Sequence, residues 1–162
     1  MKEKSLLTML LCLGMLFSCN MGPDDPPGPP EITLAAGDAI LSTSTPGNLV
    51  IENPGTDYAS IINWGDETDL ISWEFDVTEE SDYDVILRMS CLDGFHGSQI
   101  EIGLNGETMS MTMINTGGWS SYSDFQVGTV SLSPGTYIIE IQATSIANSY
   151  AGNLMRVVLS GE

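Results

Sequence analysis

The chain has 162 residues, 42% of them apolar, and sets 4 basic residues against 22 acidic ones for a formal net charge of -18. That length suits one domain with a single packed core. So acidic a surface repels nucleic-acid phosphates and anionic lipid headgroups, which argues against nucleic-acid binding and leaves an anchor as the only route to a membrane. Acidic surfaces can recruit cations such as calcium, with solubility as the plainer role.

Residues 1–18 begin with Lys2 and Lys4, continue in an apolar run over 6–17 and end at Ser18. This is the pattern of a secretory signal, too short to span a bilayer stably. Leu16-Phe17-Ser18-Cys19 resembles the lipobox of bacterial lipoproteins. The resemblance implies cleavage before Cys19 and acylation of its thiol and amine, palmitate included, so that several chains hold the protein to the membrane where one alone binds only marginally. An ordinary signal peptide with an incidental cysteine is the alternative. Asn20 is not the Asp of inner-membrane retention, so an outer-membrane anchor is expected, on the periplasmic or the cell-surface face; Asp24-Asp25 faintly resembles surface-export signals. Removing residues 1–18 takes Lys2, Lys4 and Glu3 with it, leaving 2 basic and 21 acidic residues, a net charge of -19 with no lysine.

Residues 19–30 form the next unit, the lipidated Cys19 and a linker with five prolines and two glycines in positions 20–30. Such a segment holds neither a helix nor a ladder and works as a semi-rigid spacer. The folded domain is expected over 31–162. Within it Cys91 stands alone, so no internal disulfide is possible; with no basic neighbour to lower its pKa, a buried inert thiol is expected there.

From Glu31 onward strand signals follow one another. Segments 32–36, 39–42, 48–52 and 58–63 are weaker strand candidates separated by Gly-Asp, Thr-Pro-Gly and Pro-Gly-Thr. Leu70–Val77 alternates, with Trp73, Phe75 and Val77 on one face and Ser72, Glu74 and Asp76 on the other, as a half-buried antiparallel strand does. Segment 83–90 repeats the pattern with Tyr83, Val85, Leu87 and Met89. Segment 99–104 leads into Asn105-Gly106, the dipeptide that most favours a type I′ hairpin, because both turn positions need positive φ. The return strand 107–113 puts Met109, Met111 and Met113 on one face, which is adaptable core more readily than a metal site.

Residues 116–132 are the least generic stretch: a glycine-rich loop, Thr116-Gly-Gly-Trp119 with Tyr122, passes into a strand over 125–132 and then a turn at Ser133-Pro134-Gly135, with Pro at i+1 and Gly at i+2. Strands over 136–143 and 153–160, joined through a loop at 148–152, close the domain. Eight to ten short strands at regular spacing, without a convincing helix, specify an all-β antiparallel sandwich or barrel.

The order of Trp73-Glu-Phe-Asp-Val77, Tyr83-Asp-Val-Ile-Leu-Arg88, Asn105-Gly106, Thr116-Gly-Gly-Trp119, Val130-Ser-Leu-Ser-Pro-Gly-Thr-Tyr137 and Gly152-Asn-Leu-Met-Arg-Val-Val-Leu159 resembles carbohydrate-binding module families 6 and 35 over about residues 31–162. The resemblance implies a galactose-binding-like β-sandwich of jelly-roll type with loops gathered at one rim. It further implies that Trp119 stacks on a sugar ring, that Asn153 supplies a last-loop amide to hydroxyls, and that Trp64 or Tyr58 faces Trp119. Tyr122, on the same loop, is a candidate contact, with packing as the alternative. Segment 91–98, with Asp93, Phe95 and His96, could reach the same rim. Sugar C–H faces pack on flat apolar rings while amides and carboxylates satisfy hydroxyls.

In those families carboxylates near the start and end of the domain help bind a structural calcium. Here the matching stretches are Ala36-Gly37-Asp38 and Asn153-Leu154-Met155, so the calcium is not carried over and no cofactor is expected; Asp38 could compensate only through a shift of register.

Acidic clusters at 66–69, 79–82 and 93 are too common in this chain to mark a hydrolase, and no Gly-x-Ser-x-Gly, His-Glu-x-x-His or phosphate loop occurs. A non-catalytic protein is expected. Two classes remain: a lipid-anchored module holding a glycan or polysaccharide, with glycan-degrading enzymes as possible partners, or a structural or protein-interaction sandwich of the envelope with no sugar site. The first expects Trp119 and Trp64 exposed at a rim; the second expects them buried or blocked, Trp119 plugging one end of the sandwich.

Overall fold

The structure is a computed structural model and describes residues 28–45 and 48–161. The leader at 1–18, Cys19 and most of the proline-rich linker lie outside the described residues. Among the described residues there are eleven strands, β1 (Ile32–Ala35), β2 (Ile40–Ser42), β3 (Val50–Glu52), β4 (Ser60–Ile62), β5 (Leu70–Val77), β6 (Ser81–Ser90), β7 (Gln99–Leu104), β8 (Glu107–Thr112), β9 (Ser123–Leu132), β10 (Gly135–Ser145) and β11 (Asn153–Gly161), with one 3-10 turn at Ala36–Asp38. One sheet has the order β3-β4-β11-β6-β9, with β1 also on β11; the other has the order β2-β5-β10-β7-β8. All pairings are antiparallel. The molecule is an all-β antiparallel sandwich.

The core follows from alternation. Trp73, Phe75 and Val77 of β5 and Tyr83, Val85, Leu87 and Met89 of β6 are buried, while Glu74 and Asp76 between them are exposed. The methionine stripe of β8 is core: Met109 and Met113 are buried and Met111 is packed against the cluster. Gly128 of β9 leaves the room that Met109 occupies, since a Cβ there would stand 2.7 Å from the Met109 sulfur. The hairpin between β7 and β8 turns at Asn105 (φ 53°) and Gly106 (φ 78°), as the type I′ geometry requires.

The turn at Pro134-Gly135 differs from the expected form. Gly135 does not take positive φ; it opens β10, paired with Val77, and the connection carries the chain from one sheet to the other. Gly135 is already a paired strand residue, so its backbone stays extended and cannot take the positive φ that the i+2 position of a type II turn requires.

Register fixes two ends. At one, Asn153 pairs with Ser90 and Ser123 with Met89, and the crossings at residues 63–69, 91–98, 113–122 and 146–152 are gathered. At the other lie the Asn105-Gly106 hairpin, the 133–134 crossing, the start of β1 and the end of β11, where Ile32 pairs with Leu159 and the ring of Pro29 lies against Gly161.

Candidate functional site

The Thr-Gly-Gly-Trp loop is clamped at its start. Cys91 N–H donates to Thr116 Oγ1 at 2.8 Å, and Thr116 N–H and its hydroxyl both donate to Cys91 O, at 3.0 and 3.1 Å. Gly117 (φ 96°) and Gly118 (φ 155°) then adopt backbone that side chains rarely tolerate. This bend delivers Trp119, whose carbonyl accepts from Ser90 Oγ at 2.7 Å and Asn153 Nδ2 at 3.3 Å. The indole is half-buried.

The adjoining loops are tied to one another. Gly97 N–H donates to Met113 O and Met113 N–H to Ser98 O, both at 2.8 Å; Asn148 Nδ2 donates to Gly94 O at 2.8 Å. Phe95 and Tyr150 thereby reach Trp119: ring centroids are 5.1 Å apart for Phe95–Trp119, 6.4 Å for Trp119–Tyr150 and 6.3 Å for Phe95–Tyr150, the first two edge-on and the last stacked. Loop 91–98 does arrive at this rim through Phe95, whereas His96 is exposed, with Asp93 3.8 Å from its Nδ1. Tyr150 was not anticipated; its one legible signal is an aromatic in the loop directly before Asn153.

Two hollows meet at Trp119. The smaller, about 290 Å³, is lined by Glu52, Ile62, Asn63, Phe95, Trp119, Tyr150 and Asn153. The larger, about 590 Å³, lies toward the outer face of the β3-β4-β11-β6-β9 sheet and is lined by Glu52, Asn53, Tyr58, Ser60, Arg88, Trp119 to Tyr122, Asn153 and Met155. Four sequence-predicted residues, Tyr58, Trp119, Tyr122 and Asn153, therefore stand around one hollow. Tyr58 is 76% exposed.

Trp64 does not. It is 0% exposed, filling the end of the core beneath the loop at 146–152, where Ala151 N–H donates to Trp64 O at 2.8 Å. An indole so large gains more from burial than from a rim position, and its expected role facing Trp119 is corrected: Phe95 and Tyr150 occupy that place.

The family-type calcium site does not fit. The matching positions present the buried methyl of Ala36, an exposed Asp38 and the thioether of Met155 lining a hollow, and thioethers are poor calcium ligands. Among the described residues no group of three or more His, Cys, Asp or Glu is placed to hold a metal. Asp66, in the loop after Trp64, accepts from Thr68 N–H and from the hydroxyls of Thr68 and Ser44, which hold its carboxyl below the ordinary value. Burial pushes the Cys91 thiol up, in keeping with an inert group.

Fold and rim together define a galactose-binding-like β-sandwich with an aromatic loop end. The solved structures it is similar to include a family 35 carbohydrate-binding module from Clostridium thermocellum, at 20% identity and a TM-score of 0.65 over 82% of this chain and 99% of that one. They also include the module CBM6cm-2 from Cellvibrio mixtus lichenase 5A, in complex with cellotriose, at 20% identity and a TM-score of 0.56 over 81% and 98%. A third is the insecticidal crystal protein Cry2Aa, at 15% identity and a TM-score of 0.64 over 81% of this chain and 21% of that one. These likenesses show the fold shared with module families 6 and 35. The chain belongs to the family described as domain of unknown function DUF5077, whose model matches residues 43–162. No curated protein matches the chain in sequence.

Proposed function

We propose that this protein is a non-catalytic glycan-binding module. The observation that carries this reading is the junction at Trp119, where three loops bring Phe95, Trp119 and Tyr150 together around the smaller hollow beside Asn63, and where Trp119, Asn153 and Glu52 also line the larger one. Flat rings beside amides and a carboxylate suit the alternating C–H faces and hydroxyls of a sugar. The neighbouring structures named as carbohydrate-binding modules support it through the shared fold. Glycoside hydrolysis ordinarily uses two carboxylates, and Glu52 alone of the acidic residues lines the two hollows among the described residues. Residues 1–18 act as the leader and Cys19 as the lipidated anchor at the outer membrane, with residues 20–30 as spacer, so that the module holds a polysaccharide near glycan-degrading enzymes.

The test is a glycan array with the full chain purified in detergent, followed by Trp119→Ala on any glycan bound. Binding that survives the substitution would displace the site from Trp119. The burial of Trp64 favours the second reading, a sandwich that joins envelope proteins, and an array with no glycan bound would select it. The anchor is tested by Cys19→Ser and membrane fractionation: a variant still acylated and membrane-bound refutes it.

A further inference from the structure

Nothing in the scaffold requires Gly103 to be a glycine. It lies inside β7, a central strand of its sheet, paired with Glu140 of β10 on one side and Thr108 of β8 on the other. Glycine weakens a strand interior, and there it ordinarily marks a bulge, a positive φ or the close approach of a ligand or another backbone. The register is regular at Gly103, because the shift in the β10–β7 ladder falls between Ala143 and Ser145. Its φ is not positive, and a Cβ built on it would meet no atom within 4 Å. The approach that remains is one from outside the chain.

The missing side chain opens a hollow of about 250 Å³ on the outer face of the β2-β5-β10-β7-β8 sheet, at the Asn105-Gly106 end remote from Trp119. Residues 103–108, Ile138 and Glu140 line it, and Ile138 is 56% exposed. The same face carries Glu74 on β5, Glu140 on β10 and Glu101 on β7, three adjacent strands, with Glu107 at the edge of the hollow. All four carboxylates are exposed, and the ion pairs of the described residues, Arg88–Asp124 and His96–Asp93, lie elsewhere. The two arginines stand on the other sheet, on β6 and β11, and the described residues include no lysine. An apolar notch is therefore ringed by carboxylates that no cation of the domain can reach.

We propose that this face docks a basic protein partner, with one of the partner's lysine or arginine side chains lying in the hollow. The methylene stem of such a side chain packs on Ile138 across the open backbone of Gly103, and its charged head reaches Glu140 and Glu107. A second copy of this chain is a poor occupant, because it brings the same acidic face and its Arg88 is already engaged by Asp124. No aromatic ring of the described residues lines the hollow, so a sugar finds no flat surface there on which to stack. Docking here leaves the Trp119 tip free for a glycan and does not depend on one being bound.

The probe is a phage-displayed library of random dodecapeptides, selected on the full chain in detergent at about 150 mM NaCl, where long-range attraction is screened. Enriched peptides are synthesised and titrated calorimetrically. They are expected to carry lysine or arginine. Gly103→Val fills the hollow and should weaken them about tenfold while raising the urea midpoint, since valine suits a strand better than glycine. Glu140→Gln combined with Glu107→Gln should weaken them about three- to tenfold, the scale of two exposed ion pairs. Glu31→Gln, which removes an exposed acid ahead of β1 on the other sheet, should change nothing. The proposal is overturned if selection enriches no basic peptides, or if Gly103→Val binds them as tightly as the wild-type chain. A lowered urea midpoint for Gly103→Val overturns it as well, because the glycine would then be a requirement of the fold. So does a loss from Glu31→Gln equal to that from the Glu140 and Glu107 pair, which would reduce the binding to net charge.

Discussion

The side-chain amide of Asn153 and the hydroxyl of Ser90 converge on one atom, the main-chain carbonyl oxygen of Trp119, at 3.3 and 2.7 Å. Two adjacent strands, β11 and β6, thus fix the height of a loop tryptophan. Ser90 is fully buried and cannot touch a ligand, so any effect of removing its hydroxyl on binding passes through Trp119. Ser90→Ala should weaken glycan affinity by a few-fold to tenfold, the scale of a net hydrogen bond of about 0.5–1.5 kcal/mol. Titration calorimetry measures it, with hydrogen exchange of residues 116–122 as the independent readout; an unchanged affinity and unchanged exchange would show that the Thr116 clamp alone holds the loop.

Gly152 precedes Asn153 at φ 142°, and a Cβ there would lie 3.1 Å from the carbonyl oxygen of Ser90 and 3.4 Å from Met89 Cε. The first contact is with backbone, which cannot yield as a side chain does. Gly152→Ala should therefore destabilise the domain by about 1–3 kcal/mol in urea unfolding, combining left-handed backbone strain with crowding. A loss under a few tenths of a kcal/mol would mean that the strand entry shifts freely.

The two tryptophans separate stability from binding. Trp64→Ala empties the sandwich end and should cost about 3–5 kcal/mol of unfolding free energy. Trp119→Ala, at a half-exposed rim, should cost far less in the same measurement while abolishing glycan binding. Equal destabilisation by both would make Trp119 a plug of the core.

Burial raises the Cys91 thiol above its ordinary value of 9.0, so the folded state favours the protonated form. Its contribution to stability is complete below that ordinary value and is lost as pH rises through the higher folded value. At pH 8, iodoacetamide followed by peptide mass spectrometry should label Cys91 only after urea unfolds the chain. Rapid labelling of the native protein would contradict the burial.

Much of the scaffold was legible because it rests on local physics. Period-two alternation marked Leu70–Val77 to the residue, and Asn105-Gly106 specified its own turn. What depended on contacts between distant segments was not. Trp64 stands in a Gly-Asp-Glu-Thr-Asp context that reads as an exposed loop, and only the folding of residues 146–152 over it makes it core. The same distant loop supplies Tyr150 to Trp119. The register shift of β11 against β6, where Leu154 pairs with Met89 but Arg156 with Arg88, leaves no mark in the hydropathy of β11, because a one-residue shift is visible only against the partner strand.

The chain enters β1 beside the exit of β11, with Pro29 against Gly161, at the end of the sandwich remote from Trp119. This gives the molecule a base and a working tip. Whatever is fastened to either terminus, a surface, a second domain or an affinity tag, pulls on the base and leaves the tip facing outward. A ligand far larger than the domain, such as the side of a polysaccharide fibre, can then be approached without the attachment standing in the way.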